Sequence, residues 1–246
     1  MDSTASRPGR GRRVEWLVGV DEAGRGPVAG PLVVCAFATS LGEDAAFEGR
    51  ESVVDSKRIT SHRKREHVYE TILSPLVADG IAAFSVIAIQ VEDIDRDGIQ
   101  ASWDVAVTRA VNDVLQEIDR LGEGKLGRVV IDGPVFPRLD RISPRIEIDR
   151  HRFYWGALGL KLRGVPIAKA DALFWYVSAA SIVAKVHRDR QMIELGQDYP
   201  QYEFEKHKGY GTLRHSELIV EHGLVPGIHR RAFVPKAIRA TAQWCT

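Results

Sequence analysis

Short apolar runs separated by turn residues recur along the first two thirds of the chain. Runs of 4–10 mostly apolar residues, rich in Val and Ile, predict β-strands. They lie at residues 14–20, 31–38, 82–91, 128–131 and 165–169. The connection between the first two runs is short, which favours an antiparallel pair.

Other segments show helical periodicity. In residues 101–121, apolar side chains recur every three or four positions, which indicates one buried helical face; they include Trp103, Val107, Val111, Val114 and Ile118. Further helices are predicted at 60–76 (capped by Thr60 or Ser61), 172–195 and 213–222, with a loop at 199–211. This order of elements predicts an α/β fold, a mixed sheet flanked by helices.

Length and composition are those of a globular protein. The chain has 246 residues, of which 44% are hydrophobic and 27% charged, so a disordered or fibrous chain is excluded. Residues 1–13 are predicted to be a disordered basic arm and residues 14–196 the α/β domain. Residues 197–246 either pack on that domain or form a small helical subdomain.

Cysteine content and hydropathy exclude several classes of protein. The two cysteines, Cys35 and Cys245, exclude a disulfide scaffold and a Cys-rich zinc module. No apolar stretch approaches the roughly 18 residues that a membrane span requires. The arginine-rich start is a poor signal peptide. We therefore expect no membrane association and a cytoplasmic location.

Charge is distributed unevenly although the net charge is only +1. Residues 1–140 hold 17 Lys/Arg and 23 Asp/Glu, a balance of −6, whereas residues 141–246 hold 17 and 10, a balance of +7. This asymmetry indicates a basic surface for a polyanion beside an acidic region that could hold cations. Chance clustering on solvated faces is an equally good interpretation of the charge pattern alone.

Four carboxylates are predicted where strands end: Asp21, Glu22, Asp132 and Asp171. Binding sites gather at such ends in open α/β sheets. Carboxylates brought together there repel unless one is protonated or cations neutralise them, and Mg²⁺ prefers such oxygens. Adjacent Asp21 and Glu22 can converge only if the strand has already ended. For any one of the four, a turn or helix cap is the alternative.

A glycine-rich segment, GRGPVAGP, follows at residues 24–31. Its glycine spacing and its proline do not fit a dinucleotide fingerprint. Gly24 and Gly26 would let a ligand backbone approach closely, and Arg25 could contact a phosphate or stack on a sugar. A tight hairpin with an exposed arginine is the other interpretation.

Several polar groups suit a phosphodiester backbone. Lys57, in the triplet DSK, could bind a phosphate, and Tyr210 between glycines could lie against a sugar or base. Ser178, Ser181, Lys185 and Arg188 share one face of the helix predicted at 172–195, and Lys208 lies in the segment HKGYGT. A solvated loop or a polar solvent-facing helix surface is the alternative for each.

Together these segments resemble the ribonuclease HII family. The resemblance rests on GVDEAGRGPVAGP at 19–31, DSK at 55–57, IDG at 131–133, KAD at 169–171, SAASIVAKVHRDR at 178–190 and HKGYGT at 207–212. It implies a ribonuclease H-like fold with a C-terminal helical extension at 197–246. It also implies an endonuclease, dependent on Mg²⁺ or Mn²⁺ in a two-metal mechanism, that leaves 3′-hydroxyl and 5′-phosphate ends. Its implied partners are RNA–DNA hybrids and duplex DNA with single embedded ribonucleotides.

By position, the resemblance assigns catalysis and metal binding to Asp21, Glu22, Asp132 and Asp171. Residues Gly24, Arg25 and Gly26 would read the 2′-hydroxyl of the ribonucleotide, and Tyr210 would stack on the next sugar. The nucleic-acid contacts would be completed by Lys57, Ser178, Ser181, Lys185 and Lys208.

An alternative function follows from two departures from the family pattern. The 38 residues between Asp132 and Asp171 are more than the family pattern has, and the excess, at 146–163, is aromatic and basic. Phe174, Trp175 and Tyr176 follow Asp171 where small or polar residues are usual. Both departures alter the setting of Asp171, and the alternative is therefore a hybrid-binding module with weakened catalysis. We expect a monomer, and the ending RATAQWCT lacks a convincing sliding-clamp peptide.

Overall fold

The computed structural model describes residues 15–122, 125–133, 164–167 and 169–244. In this part of the chain one five-stranded sheet has the order β3-β2-β1-β4-β5. Its strands are β1 (Glu15–Ala23), β2 (Leu32–Thr39), β3 (Ala82–Ile89), β4 (Lys125–Asp132) and β5 (Gly164–Ile167). All five strands that the hydrophobic pattern predicts are therefore present, and no strand end is shifted by more than three residues.

The sheet is mixed, as predicted. β2 pairs antiparallel with both β1 and β3, whereas β4 pairs parallel with β1 and β5. The carboxyl ends of β1, β4 and β5 therefore meet at one edge of the sheet. The predicted carboxylates lie at that edge.

Two long helices cover the sheet, one on each face. Helix α4 (Ile99–Leu121) packs its apolar stripe on side chains such as Val20 and Val34. Helix α6 (Trp175–Asp198) packs on the other face, against Cys35 and Phe37. All eight residues of β2 are buried because both faces of the strand are covered.

Helix α6 lies unusually close to the central strand β1. A Cβ atom at Gly19 would lie 2.5 Å from the carbonyl oxygen of Tyr176 and 2.6 Å from the amide nitrogen of Val177. The absence of a side chain at Gly19 thus lets the backbone of α6 contact β1, two residues before Asp21.

Shorter helices connect these elements. The helix predicted at 60–76 is confirmed in place, but it is interrupted by a π-helical turn at Tyr69–Leu73. Ser61 occupies its N-cap position, although its side chain accepts no capping hydrogen bond. The two α-helical parts of the interrupted helix are α1 (His62–Val68) and α2 (Ser74–Ala78), and α3 (Val91–Asp97) follows β3. Helix α3 was not predicted, because the pattern extends β3 to residue 91.

The helix predicted at 172–195 is wrong at its start. A short helix α5 (Ala170–Leu173) ends at Phe174, which is extended at φ −121° and ψ 119°, and α6 begins at Trp175. The break gives Asp171 a helical turn of its own, separate from α6.

Residues beyond α6 pack on the sheet domain. They form α7 (Phe204–His207), α8 (Leu213–His222) and α9 (Lys236–Thr241). The helix predicted at 213–222 is confirmed, whereas the predicted loop at 199–211 contains α7 and a 3-10 turn at Pro200–Tyr202. Ala29 pairs with His229 in an isolated antiparallel bridge and shares a core with Tyr202 and Phe204. The domain boundary at residue 196 stays a prediction.

Among the described residues, no helix is long and apolar enough to cross a membrane. The basic arm predicted at 1–13, the aromatic and basic stretch at 146–163, and Cys245 lie outside the described residues.

Candidate active site

Three of the four predicted carboxylates meet at the carboxyl edge of the sheet. Asp21 lies near the end of β1, Asp132 is the last residue of β4, and Asp171 lies in α5. Each offers one oxygen atom, and these three atoms lie within 4.8 Å of one another. Asp21 and Asp171 are buried. Asp132 follows Asp21 by 111 positions and precedes Asp171 by 39. Parallel strand pairing thus brings three distant residues together.

Glu22 lies beside this group, on the other face of the sheet. Strand β1 continues to Ala23, so the prediction that the strand ends before Asp21 is wrong. Asp21 faces α6, whereas Glu22 faces α4, where the indole N–H of Trp103 donates to its Oε2 at 3.0 Å. The Arg25 guanidinium lies 3.6 Å from Glu22 Oε1. Glu22 is therefore oriented by Trp103 and Arg25 and lies outside the cluster of three carboxylates.

Backbone and hydroxyl groups orient the carboxylates. The backbone N–H of Ala170 donates to Asp132 Oδ1 at 2.7 Å, which ties β4 to the start of α5. The Ser178 hydroxyl donates to the carbonyl oxygen of Asp171 at 2.5 Å. These two bonds fix the helical turn that carries Asp171.

A buried pair of serines supports Asp21. The Ser181 hydroxyl hydrogen-bonds to the Asp21 carboxylate, and the hydroxyl oxygens of Ser56 and Ser181 lie 2.8 Å apart. Ser178 and Ser181 therefore have their hydroxyls engaged inside the protein, where they support Asp171 and Asp21. Direct contact of these two serines with nucleic acid stays a prediction.

Burial and mutual repulsion raise the pKa values of the acidic side chains. Burial foremost, followed by the charges of Glu22 and Asp132, raises the pKa of Asp21 well above its usual range. The pKa of Asp171 is raised by burial and by Asp132, with Lys57 opposing. Burial also raises the pKa of Glu22, and the Trp103 hydrogen bond and Arg25 partly offset it. Cations bound here would relieve this repulsion.

The donor set fits a hard divalent cation. Three carboxylate oxygens within 4.8 Å of one another form an all-oxygen cluster, and Mg²⁺ and Mn²⁺ prefer such ligands. Asp21, Asp132 and Asp171 would hold such ions, with Glu22 adjacent.

Lys57 reaches the carboxylates from the loop before α1. Its Nζ lies 3.3 Å from Asp171 Oδ2, yet 74% of its side chain is exposed. Burial lowers the pKa of Lys57, but attraction by Asp171 and Asp21 outweighs it, so the net pKa is raised. A cationic, accessible amine is therefore present at the mouth of the cluster.

The glycine-rich segment lies next to Glu22. Gly24 has φ +89°, a backbone conformation that favours glycine. Gly26 is exposed, and a Cβ atom there would meet nothing within 4 Å. Between them, the Arg25 guanidinium donates to Gln100 Oε1 at 2.7 Å and lies 5.2 Å from the Trp103 ring centroid. The arginine is thus anchored to α4, and the backbone at Gly26 is open to a ligand.

Tyr210 lies next to the glycine-rich segment. The backbone N–H groups of Val28 and Ala29 both donate to the carbonyl oxygen of Gly209, at 2.9 and 3.2 Å. The Tyr210 side chain is 45% exposed. Lys208, two residues before it, is half-buried, and its Nζ donates to the Glu205 carbonyl oxygen at 2.5 Å.

Lys185 and Arg188, the two cations of the predicted face of α6, do not lie on a solvent-facing surface. Lys185 pairs with Asp189, a buried carboxylate that also pairs with Arg65 at 3.0 Å. Arg188 is fully buried. The interpretation of this face as a polar solvent surface is therefore wrong, and contact of Lys185 with nucleic acid stays a prediction.

Sequence reasoning missed several supporting residues, among them Trp103, Gln100, Ser56 and Asp189. Trp103 was assigned only to the buried stripe of α4, although a buried indole N–H usually needs an acceptor. This need for an acceptor is a sequence signal from which a pairing of Trp103 with a carboxylate could have been predicted. No sequence signal pairs Ser56 with Ser181, which lie 125 positions apart.

This mixed sheet between two helices, with an acidic cluster at its carboxyl edge, defines a metal-dependent nuclease of the ribonuclease H-like fold. Residues 18–236 match the family model of ribonuclease HII. The ribonuclease HII of Fusobacterium nucleatum is 39% identical over 223 residues, which cover 90% of this chain and 87% of that relative. The chain belongs to the ribonuclease HII family, and it is an endonuclease of the ribonuclease H class.

Solved structures show the same fold. The ribonuclease HII of Archaeoglobus fulgidus, determined in complex with PCNA, has a TM-score of 0.58 at 28% identity and covers 91% of this chain and 96% of its own. The ribonuclease H2 of Pyrococcus horikoshii has a TM-score of 0.58 at 26% identity, covering 92% and 96%. Membership in this family supports metal-dependent ribonuclease activity on RNA–DNA hybrids.

Proposed function

We propose that this ribonuclease also incises duplex DNA at single embedded ribonucleotides, leaving 3′-hydroxyl and 5′-phosphate ends, and so serves the removal of ribonucleotides from DNA. The observation that carries the proposal is the adjacency of three elements: the acidic cluster, the open backbone at Gly26 and the exposed Tyr210 ring. In this proposal one ribonucleotide and its neighbour would occupy them.

Discrimination against DNA would come from the backbone of Gly24, Arg25 and Gly26. The 2′-hydroxyl is the group that separates RNA from DNA, and it both donates and accepts hydrogen bonds. With no side chain at Gly26, backbone groups can approach a ribose closely. Tyr210 would stack on the following sugar and so sense the junction between RNA and DNA.

Asp21, Asp132 and Asp171 would hold two Mg²⁺ or Mn²⁺ ions, with Glu22 as the fourth ligand. Such ions supply activation of water and stabilisation of the leaving 3′-oxygen. Lys57 would bind a substrate phosphate through its exposed amine, while Ser178, Ser181 and Ala170 keep the carboxylates oriented. Trp103 and Arg25 would hold Glu22 in place.

The placement of Asp171 favours a nuclease over a hybrid-binding module with weakened catalysis. The aromatic residues after Asp171 pack away from the site: the Trp175 indole lies 5.0 Å from the Phe47 ring, and its N–H donates to the Gly42 carbonyl at 3.2 Å. Asp171 still lies within reach of Asp21 and Asp132. Action as a monomer, a cytoplasmic location and independence of a sliding clamp stay predictions.

A cleavage assay on three labelled duplexes tests the proposal. We expect nicking of a DNA duplex with one ribonucleotide and of a long RNA–DNA hybrid in Mg²⁺ or Mn²⁺, and no cut in all-DNA duplex or in EDTA. End labelling checks the 3′-hydroxyl and 5′-phosphate products. Cleavage of the hybrid alone would contradict incision at single ribonucleotides, and binding without any cleavage would favour the binding module.

A further inference from the structure

Two arginine side chains are completely buried behind the glycine-rich segment. Arg188 lies in α6 and Arg230 follows α8, and both have a relative exposure of 0%. They approach the segment from two different parts of the fold.

Together the two guanidinium groups donate to four carbonyl oxygens of the glycine-rich segment. Arg188 donates through Nε to the carbonyl oxygen of Pro31 at 3.0 Å and through Nη2 to that of Ala29 at 3.1 Å. Arg230 donates through Nε to the carbonyl oxygen of Gly30 at 2.8 Å and through Nη1 to that of Arg25 at 3.3 Å. Three consecutive carbonyls and the carbonyl of the residue between Gly24 and Gly26 are therefore fixed by side chains.

This arrangement is costly for stability. Neither guanidinium forms an ion pair with any residue that the structure describes, and Arg188 Nη1 and Arg230 Nη2 are buried without a hydrogen-bond partner there. Burial foremost, and then the neighbouring Arg188 charge, lowers the pKa of Arg230 to about 9. An apolar pair would avoid these costs but would leave four carbonyl oxygens of the glycine-rich segment without donors, so the two arginines act on the conformation of that segment.

The Arg188 side chain also reaches Tyr210, and the backbone of Arg230 is linked through Val28 to Gly209, the residue before it. The guanidinium carbon of Arg188 lies 5.8 Å from the centroid of the Tyr210 ring. The backbone N–H of Arg230 donates to the Val28 carbonyl at 2.8 Å, while Val28 in turn donates to Gly209. A Cβ at Gly24 would lie 2.1 Å from Arg188 Nε, so glycine is required there for the guanidinium to fit.

We propose that Arg188 and Arg230 are positioning residues that set the spacing between the backbone at residues 24–26 and the Tyr210 ring. The inference rests on the proposed function, in which these two elements contact neighbouring nucleotides. A lysine in either place keeps the positive charge but loses the planar fork that reaches two carbonyls. The geometry of the fork, rather than its charge, sets the preference for single ribonucleotides.

The test compares Arg230→Lys with Arg231→Lys, the same change one residue along. Arg231 is exposed, with its guanidinium carbon 4.8 Å from the Trp244 ring centroid. The readout is the ratio of kcat/KM on the single-ribonucleotide duplex to kcat/KM on the long hybrid. Because both substrates are measured on one preparation, the ratio does not depend on the fraction of folded protein.

We expect Arg230→Lys to lower this ratio about tenfold or more, as small misplacements of substrate-positioning groups do, and Arg231→Lys to leave it unchanged. Arg188→Lys should lower it similarly and provides the second variant should Arg230→Lys not fold. Equal ratios in Arg230→Lys, Arg188→Lys and wild type would overturn the inference. So would a normal ratio in Arg230→Lys with a reduced one in Arg230→Met, because charge alone would then suffice.

The outcome is separable from that of the proposed function. A wild-type enzyme that cuts long hybrids but not single ribonucleotides contradicts the proposed function itself. A wild-type enzyme that cuts both, with unchanged ratios in the lysine variants, contradicts only the positioning role.

Discussion

At the scale of single residues, the two adjacent carboxylates at the carboxyl end of β1 are supported from opposite sides of the sheet. Asp21 and Glu22 are neighbours in sequence but face opposite layers of the fold, and each has its own hydrogen-bond donor. Ser181 of α6 hydrogen-bonds to Asp21, and Trp103 of α4 donates to Glu22. Both helices thus orient an acidic group, and the site depends on the packing of both layers.

Replacing Trp103 tests the support of Glu22. Trp103→Phe keeps an aromatic ring but removes the indole N–H, so Glu22 loses its 3.0 Å hydrogen bond. Loss of a group that orients a metal ligand typically weakens metal affinity about 10–100-fold. We expect the Mg²⁺ concentration for half-maximal cleavage to rise by about that factor.

Trp175→Phe is the matched control. It removes another buried indole N–H, the one bonded to the Gly42 carbonyl, on the opposite face of the sheet. Its Mg²⁺ dependence should match that of wild type. Equal shifts in both variants would show that indole loss acts through general stability and not through Glu22.

Asp21→Asn tests the electrostatic cost of the cluster. The pKa of Asp21 is higher in the folded chain than its usual value, so its contribution to stability is present at low pH and is lost as pH rises through the raised pKa. At pH 8 in EDTA, Asp21→Asn should therefore raise the Tm, by on the order of 2–4 °C for each kcal/mol gained.

The same variant should lose cleavage and keep hybrid binding, and its Tm should no longer rise when Mg²⁺ is added. Asp113→Asn, on the exposed side of α4, is the control. Its Tm and its response to Mg²⁺ should be those of wild type. The predicted repulsion would be contradicted if, without metal, Asp21→Asn and wild type had the same Tm at pH 8 and also at low pH.

At the scale of elements, most strands and long helices follow from hydrophobic pattern alone. Both faces of β2 are buried, and α4 buries one stripe, so their periodicities are strong. The break at Phe174 and the π-helical turn at Tyr69–Leu73 were not predictable, because they change backbone geometry without changing hydrophobic pattern. The break nevertheless sets the position of Asp171 beside Asp21 and Asp132.

Gly19→Ala tests the close contact of α6 with β1. The added methyl would lie 2.5 Å from the Tyr176 carbonyl oxygen, a backbone atom that cannot move without the helix. Overpacking of this kind costs about 1–3 kcal/mol. We expect the free energy of unfolding in urea to fall by that amount.

Gly42→Ala is the control, since a Cβ there meets nothing within 4 Å. Its free energy of unfolding should stay within about 0.5 kcal/mol of wild type. If Gly19→Ala proves as stable as Gly42→Ala, the helix does not need glycine at that crossing.

At the scale of the whole molecule, the residues beyond α6 pack against the glycine-rich segment that follows β1. The glycine-rich segment bonds the Gly209 carbonyl, and Ala29 pairs with His229. The glycine-rich segment is therefore held by contacts with residues about 180–200 positions further along the chain.

Tyr210→Ala tests recognition by the extension. Loss of an aromatic surface for a base or sugar costs about 1–3 kcal/mol, which corresponds to about 5–150-fold in kcat/KM. We expect that loss on the single-ribonucleotide duplex and a smaller one on long hybrids, where many ribonucleotides are offered. Leu213→Ala, also exposed, is the control. Equal losses of Tyr210→Ala on both substrates would remove Tyr210 as the junction sensor.

The sequence by itself determined the mixed sheet, the two covering helices and the identity of the acidic residues, because burial leaves a periodic pattern and chemistry restricts the side chains. Tertiary structure alone decided that Asp21 and Glu22 face opposite layers, that two serines of α6 turn inward, and that two arginines lie behind the glycine-rich segment. These facts depend on strand ends and on pairings across more than 100 residues. No local sequence pattern predicts them, because each depends on contacts between residues that are distant in sequence and meet only in the folded protein.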